Sequence, residues 1–206
     1  MPSAIEICNQ ALLFVGTRTI ASMEEPTPEA SYCLQFYNQA VQAVLRDHPW
    51  GFAQRRERLA EVPAPEGWCS AYAYAYAYPL DCLQAHYLML GEERSQAFEL
   101  GADNERTILL TNLPDAVLAY TAYINDESRF DPLFAEALAR KLQCLLTKPI
   151  LKGNSSAVQE AETIYARTLG DAKTADAREG RPYNEAETPW TNNPWAAERM
   201  GLFRRF

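Results

Sequence analysis

Residues 71–78 alternate alanine and tyrosine without a break, and this pattern constrains the fold more than any other feature of the chain. Successive side chains of a β-strand point to opposite faces, whereas a helix would scatter the rings around its surface. The pattern therefore predicts a strand with all its tyrosines on one face. These are Tyr72, Tyr74, Tyr76 and Tyr78.

Four other segments carry apolar residues at helical spacing. The first opens with a potential capping box at Ser3. The second and third each open with a polar cap followed by proline, at Thr27 and Asp131, and the fourth opens with a second potential capping box at Ser156. The predicted helices are 4–15, 28–47, 132–147 and 157–177.

Between the second and third helices, residues 50–125 follow period-two patterns instead. Besides the tyrosine strand, we predict strands at 97–100, 107–111 and 117–124, where β-branched and aromatic residues are frequent. The predicted fold is α+β: a mainly α-helical four-helix bundle with a small antiparallel β-sheet insertion and an extended C-terminal tail. We expect no internal repeat.

The tyrosine face has two interpretations, which the sequence leaves open. The rings pack on the helices while the alanine face lies close to another strand, or they line a subunit interface, where a large ring with a polar tip is favoured. In either case the strand needs a neighbour, because an unpaired edge invites pairing with another chain.

The domain prediction is a body over residues 1–180 and a tail over 181–206. Prolines keep the tail extended, and its large aromatic side chains need an apolar surface to bury against. That surface is the body of the chain or a partner, and we favour a partner. Two arginines beside the last phenylalanine can pair with carboxylates there. The predicted docking residues are Trp190, Trp195, Phe203, Arg204, Arg205 and Phe206.

The formal net charge of −8 argues against a protein that grips nucleic acid, which needs a basic face. No apolar stretch approaches the roughly 18 residues that span a bilayer. The first residues, Met1 to Glu6, lack the basic and apolar regions of a signal peptide. We therefore expect no membrane association and maturation in the cytoplasm.

Motifs for catalysis are missing from the sequence: it has no phosphate-binding loop, no nucleophile elbow and no zinc-protease motif. His48 precedes a proline at the end of the second helix and His86 stands far from it, so we expect neither a catalytic residue nor a cofactor. The odd number and wide spacing of the cysteines favour free thiols over disulfides or a metal site. They are Cys8, Cys33, Cys69, Cys82 and Cys144.

Three blocks of sequence resemble one known family. They are Ile5–Gly16 (Ile-Glu-Ile-Cys-Asn-Gln-Ala-Leu-Leu-Phe-Val-Gly), Leu45–Ala53 (Leu-Arg-Asp-His-Pro-Trp-Gly-Phe-Ala) and Tyr78–Leu83 (Tyr-Pro-Leu-Asp-Cys-Leu). In content and order they are similar to the tail tubular protein A family, the head-to-tail adaptors of tailed bacteriophages. The resemblance covers roughly residues 1–175.

The resemblance implies a structural virion protein assembled in the cytoplasm of the bacterial host. Such a protein forms a ring, usually a dodecamer, between the portal protein and the tail nozzle protein, and DNA passes through it without specific binding. Trp50 and Phe52 match the family's aromatic pair and are expected to anchor sheet to bundle. In this family the C-terminal segment commonly reaches the portal. The alternative is a non-enzymatic cytosolic adaptor that binds one protein partner through its aromatic tail.

Overall fold

The structure is a computed structural model that describes residues 2–63, 72–90, 93–95, 97–102 and 106–179. Its helices are α1 (Ala4–Val15), α2 (Pro28–Asp47), α3 (Pro132–Ile150) and α4 (Ser155–Glu179). Its strands are β1 (Gln54–Arg58), β2 (Tyr74–Ala77), β3 (Cys82–Leu90), β4 (Glu93–Ser95), β5 (Phe98–Ala102), β6 (Thr107–Thr111) and β7 (Val117–Ala122).

The capping box predicted for α1 is confirmed. The Glu6 amide donates to the Ser3 hydroxyl at 3.3 Å, and the Ser3 amide donates to the Glu6 carboxylate at 2.7 Å. The helix ends at Gly16, whose φ of +85° lies in the left-handed region that glycine adopts without strain. The predicted bounds of this helix are therefore correct.

The N-terminal caps predicted for α2 and α3 are also confirmed. The Ala30 amide donates to the Thr27 hydroxyl at 3.3 Å, and the Leu133 amide donates to the Asp131 carboxylate at 2.8 Å. In each helix a proline follows the cap, where its missing amide costs no hydrogen bond. Not every apolar residue of α2 is buried, since Leu34 is 61% exposed.

The predicted end of α3 at residue 147 is wrong, because the helix continues through Pro149 to Ile150. The Leu151 amide donates to the Thr147 carbonyl at 2.9 Å, so the last turn closes beyond the proline. A proline this close to a helix end removes one amide from the last turn and leaves the rest of the helix intact.

The predicted start of α4 is wrong by two residues, since the helix begins at Ser155. The cap is the side chain of Asn154, not that of Ser156. The Asn154 Oδ1 atom accepts from the Ala157 amide at 3.4 Å and from the Ser156 hydroxyl at 2.8 Å. Asparagine is as good a cap as serine, so the helix starts at the earlier residue.

The fold is α+β, but the prediction of a single four-helix bundle with one small sheet is wrong. α3 packs against α1, α2 and α4, whereas α1 and α2 touch only marginally. A helix of a bundle buries one stripe, but α3 is covered on several sides and is a central helix. Its buried residues are Phe134, Ala135, Ala137, Leu138, Ala139, Leu142, Gln143, Leu146 and Thr147.

The region between α2 and α3 holds two antiparallel sheets. The strand order is β1-β7-β3-β4 in the first sheet and β2-β6-β5 in the second. The pairing of β3 with β7 is irregular between Cys82 and Gln84 and again between Ala85 and Tyr87. Such bulges bend a strand and increase its twist.

Residues 59–62 join the two sheets. The Leu59 amide donates to the Ala116 carbonyl at 3.0 Å in the first sheet, and the Val62 amide donates to the Ala75 carbonyl at 2.8 Å in the second. β2 therefore has backbone partners on both sides, β6 and this segment. The neighbour that the tyrosine strand was expected to need comes from the chain itself.

The strands predicted at 97–100, 107–111 and 117–124 are confirmed as β5, β6 and β7. The bounds of β6 are as predicted, whereas β5 is shifted at both ends and β7 ends two residues earlier. The tyrosine strand is shorter than the 71–78 pattern and runs from Tyr74 to Ala77. β1, β3 and β4 were not predicted. β1 reads Gln-Arg-Arg-Glu-Arg with every side chain exposed, so it lacks the alternation that reveals a strand.

Candidate interaction sites

Trp50 and Phe52 lie between the end of α2 and the start of β1. Trp50 is 1% exposed and meets Phe134 of α3 in a T-shaped contact with ring centroids 5.1 Å apart. Phe52 lies 5.0 Å from the same ring, and the Trp50 indole donates to the Val44 carbonyl at 2.8 Å. Both rings thus contact the central helix at the entrance to the first sheet, the place from which an anchor would act. We call this contact the aromatic joint.

The end of α4 is fastened to the aromatic joint by one carboxylate. Asp176 Oδ2 lies 2.8 Å from the His48 Nε2 atom, and Asp176 Oδ1 accepts from the Gly51 amide at 3.0 Å. Both side chains of the His48–Asp176 pair are mostly buried, with 17% and 22% of their surface exposed. His48, the residue that follows α2, thus binds a residue of a distant helix.

A second contact ties the same two helices together. The Tyr165 hydroxyl of α4 donates to the Asp47 carboxylate at the end of α2. Burial, together with this negatively charged acceptor, raises the pKa of Tyr165. Asp47, the last residue of α2, and His48, which follows it, thus bind α4 at two points three turns apart.

Sequence reasoning missed Asp176, although the sequence carries a signal for it. The buried stripe of α4 is Ala161, Tyr165, Leu169 and Ala172, and Asp176 continues the same spacing of three and four residues. A carboxylate at the end of an apolar stripe needs a hydrogen-bonding partner from the body it packs on. Only the fold identifies that partner as His48.

An open cleft of about 530 Å³ lies beside this contact, between the aromatic joint and the last turn of α4. Phe52, Ala177 and Glu179 are among its lining residues. The predicted tail, 181–206, follows directly in the sequence. The predicted docking residues, Trp190, Trp195, Phe203, Arg204, Arg205 and Phe206, lie outside the described residues.

Three of the four tyrosines of the alternating segment face the main core. Tyr76 is 2% exposed and its hydroxyl donates to the Leu113 carbonyl at 2.9 Å. The rings of Tyr74 and Tyr76 stack with centroids 6.3 Å apart, and half-buried Tyr78 packs against the same core. For these side chains the placement favours the packing interpretation, and for Tyr76 most strongly.

Tyr72 does not share that face, contrary to the prediction. It packs against a small separate cluster formed by Ala75, Ile108 and Leu110. The alternation fails because β2 begins only at Tyr74, after a bend at Ala73. As a half-buried ring outside the main core, Tyr72 is the tyrosine of this segment best placed for the predicted subunit interface.

A polar network links the exposed edge strand β1 to the rest of its sheet. Arg55 forms an ion pair with Asp81, and Arg58 forms one with Asp115. The Tyr120 hydroxyl lies 3.0 Å from Glu57 and 3.1 Å from Asp81, and burial followed by these two contacts raises its pKa. A hydroxyl has one hydrogen, so it donates to one carboxylate at a time. These contacts link side chains of β1 to Tyr120 of β7 and to residues that precede β3 and β7.

No group of three or more metal-ligating side chains occurs among the described residues. Within the same part of the chain, no helix has the length and apolar character needed to cross a membrane. Cys8 and Cys33 are buried against each other between α1 and α2, and the contact with Cys33, together with burial, raises the pKa of Cys8. His86 donates to or accepts from the Thr121 hydroxyl at 2.8 Å.

Comparison with known proteins adds no family assignment. The chain matches no protein-family model and no curated protein sequence. Any function must therefore be argued from the contacts of this chain and from the three sequence blocks that resemble the adaptor family.

Proposed function

We propose that the chain is a structural virion protein: a head-to-tail adaptor that forms a ring between the portal protein and the tail nozzle protein. It extends the DNA channel and carries no catalytic site or cofactor. Its place is the head-tail junction of the virion, after assembly in the host cytoplasm. The C-terminal segment, 181–206, is the element that docks on the portal.

The positions of the three resembling blocks support this proposal. Ile5–Gly16 forms most of α1 and its closing glycine, and Tyr78–Leu83 connects β2 to β3. Leu45–Ala53 contains Trp50 and Phe52, two of the three rings of the aromatic joint. Each block thus covers a point where one element ends and the chain changes direction. The resemblance falls on residues that determine the course of the chain, which is where a shared fold would require similarity.

The observation that carries the proposal is the contact of Asp176 with His48 and Gly51. It fixes the last described turn of α4 against the aromatic joint. A docking segment that leaves a body from a fixed point loses less conformational freedom on binding than one that leaves from a loose end. The segment that follows residue 179 would therefore start from the same position in every copy of a ring.

The charge of the chain suits a channel wall. From the net charge of −8 we expect a surface facing the DNA to be neutral to acidic, which would let the genome pass with little adhesion. We expect weak binding of duplex DNA at physiological salt. Tight binding with a steep salt dependence would instead indicate a basic inner stripe.

Electron microscopy of the chain mixed with the portal of its phage tests the proposal. The expected result is an added annulus on the portal ring with the portal's rotational symmetry. The matched control is the exposed-surface variant Leu34→Ala, which should add the same annulus. Copies bound without symmetry, or no binding by the full chain, would overturn the assignment and favour an adaptor for a single protein partner.

A further inference from the structure

A cavity of about 280 Å³ lies between α1, α3 and α4 and shares no lining residue with the cleft beside the aromatic joint. Phe14, Val15 and Ile164 form apolar parts of its wall. Its volume is just below the roughly 300 to 1,000 Å³ of pockets for drug-sized ligands. It therefore fits a short organic molecule or one inserted side chain.

Arg140 of α3 is the cation of this cavity, and its hydrogen bonds are incomplete. Its guanidinium carbon lies 3.4 Å from the centroid of the Phe14 ring, and its Nη1 atom donates to Gln143 Oε1 at 3.1 Å. The Nε atom is buried and has no hydrogen-bond partner. Within the described part of the chain, Arg140 forms no ion pair.

The groups around Arg140 are already engaged and hold it in place. The Gln143 amide nitrogen donates to the Phe14 carbonyl at 3.3 Å, and the Thr147 hydroxyl donates to the Gln143 carbonyl at 2.7 Å. Stacking on Phe14 fixes the plane of the guanidinium. The edge formed by Nε and Nη2 is left over, and this edge binds a carboxylate through two parallel N–H···O bonds.

We propose that this cavity binds a carboxylate group, held by Nε and Nη2 of Arg140, with an apolar stem packed against Val15 and Ile164. A single cation matches a singly charged carboxylate. Phosphate fits less well, because Glu160 lines the same cavity and repels a second negative charge. The carboxylate belongs to a short organic acid or to an acidic side chain of a second copy of the chain.

Glu160 is a carboxylate of the chain itself that lines the same cavity, so it competes with an added carboxylate for Arg140. Its side chain is exposed and makes no ion pair with Arg140 in the structure, but a rotation could bring the two together. If the Glu160 carboxylate were always paired with the Arg140 guanidinium, no added carboxylate could bind there. The variant Glu160→Gln separates the two possibilities, because it removes the charge and keeps the size of the side chain.

The test uses butyrate as the probe and butyramide, its neutral counterpart, as the control ligand. The readout is the Nε–H signal of Arg140 in nitrogen-15 NMR spectra of the full chain. Butyrate should shift this signal saturably and butyramide should not. Arg140→Lys keeps the charge but lacks the two-pronged edge, and because it also lacks the Nε–H signal its butyrate binding is measured by titration calorimetry alongside the unmodified chain. This variant should bind butyrate at least tenfold more weakly, with folding checked by circular dichroism. Glu160→Gln should bind butyrate at least as tightly as the unmodified chain.

Absence of binding by the unmodified chain, or binding seen only in Glu160→Gln, overturns the proposal. Equal responses to butyrate and butyramide also overturn it, and this comparison does not depend on the fold of any variant. The source of the carboxylate is then identified by measuring butyrate binding to the portal-bound ring. A side chain of a neighbouring copy would displace butyrate on assembly, whereas a site for a free acid would still bind it. Only this last comparison rests on the proposed adaptor function.

Discussion

The carboxylate of Asp176 in α4 lies 2.8 Å from the imidazole of His48, 128 positions earlier in the chain. The same carboxylate accepts the Gly51 amide, so one side chain joins the end of α2, the start of the first sheet and the last turns of α4. A Cβ at Gly51 would stand 3.4 Å from Asp176 Oδ1, an ordinary contact, so the approach does not itself require glycine. The position of the α4 end depends on these hydrogen bonds.

Asp176→Ala should loosen the end of α4. We expect a loss of about 1–3 kcal/mol in the free energy of unfolding, because the Gly51 amide and the His48 ring lose their shared acceptor. Hydrogen exchange of the amides from residue 172 to 179 should become faster. The matched control is Asp171→Ala, an exposed aspartate of the same helix. Equal exchange rates in the two variants would contradict this role.

Two leucines of α2 provide a test of the core. Leu45 is fully buried, whereas Leu34 is 61% exposed. Leu45→Ala should cost about 2–5 kcal/mol in the free energy of unfolding, and Leu34→Ala should stay within about 0.5 kcal/mol. Urea unfolding followed by circular dichroism measures both. Similar costs for the two variants would mean that the buried face of α2 is assigned wrongly.

Helix starts were the most predictable part of the fold, because capping is local chemistry. Ser3, Thr27 and Asp131 each cap the helix that the sequence assigned to them. Errors arose where two local signals compete, as at Asn154, or where tertiary packing outweighs a proline, as at Pro149. The number of helices around α3 was not predictable, since it depends on which faces are buried and not on where helices begin.

The edge strand β1 of the first sheet and the contacts of the candidate sites depend on partners distant in sequence. β1 is recognisable as a strand only from its pairing with β7, because its five side chains are all exposed. Similarly, nothing in the sequence near Arg140 reveals that Phe14 lies over its guanidinium. The role of Trp50 and Phe52 was predicted from the resemblance to the adaptor family and not from the spacing of residues.

His86 should account for part of any loss of stability in mild acid. Burial lowers its pKa, so the unfolded chain takes up the proton first as the pH falls below about 6.5. The stabilising contribution is complete above that value and is lost as the pH falls through the lower pKa of the folded chain. In His86→Gln the urea midpoint should therefore fall less between about pH 7 and about pH 5 than in the unmodified chain. An identical fall in both proteins would show that His86 does not contribute.

The role of the tail can be tested by removing it. A chain that ends at Gly180 retains every described helix cap and the whole described core, so it should stay folded and soluble. It should no longer bind the portal, because the truncation removes the predicted aromatic docking residues. In the full chain, Trp190→Ala or Trp195→Ala should each weaken portal binding by roughly 1–4 kcal/mol, as expected for an aromatic anchor at an interface. Binding of the shortened chain as tight as that of the full chain would mean that residues 181–206 pack on the body instead of on the portal.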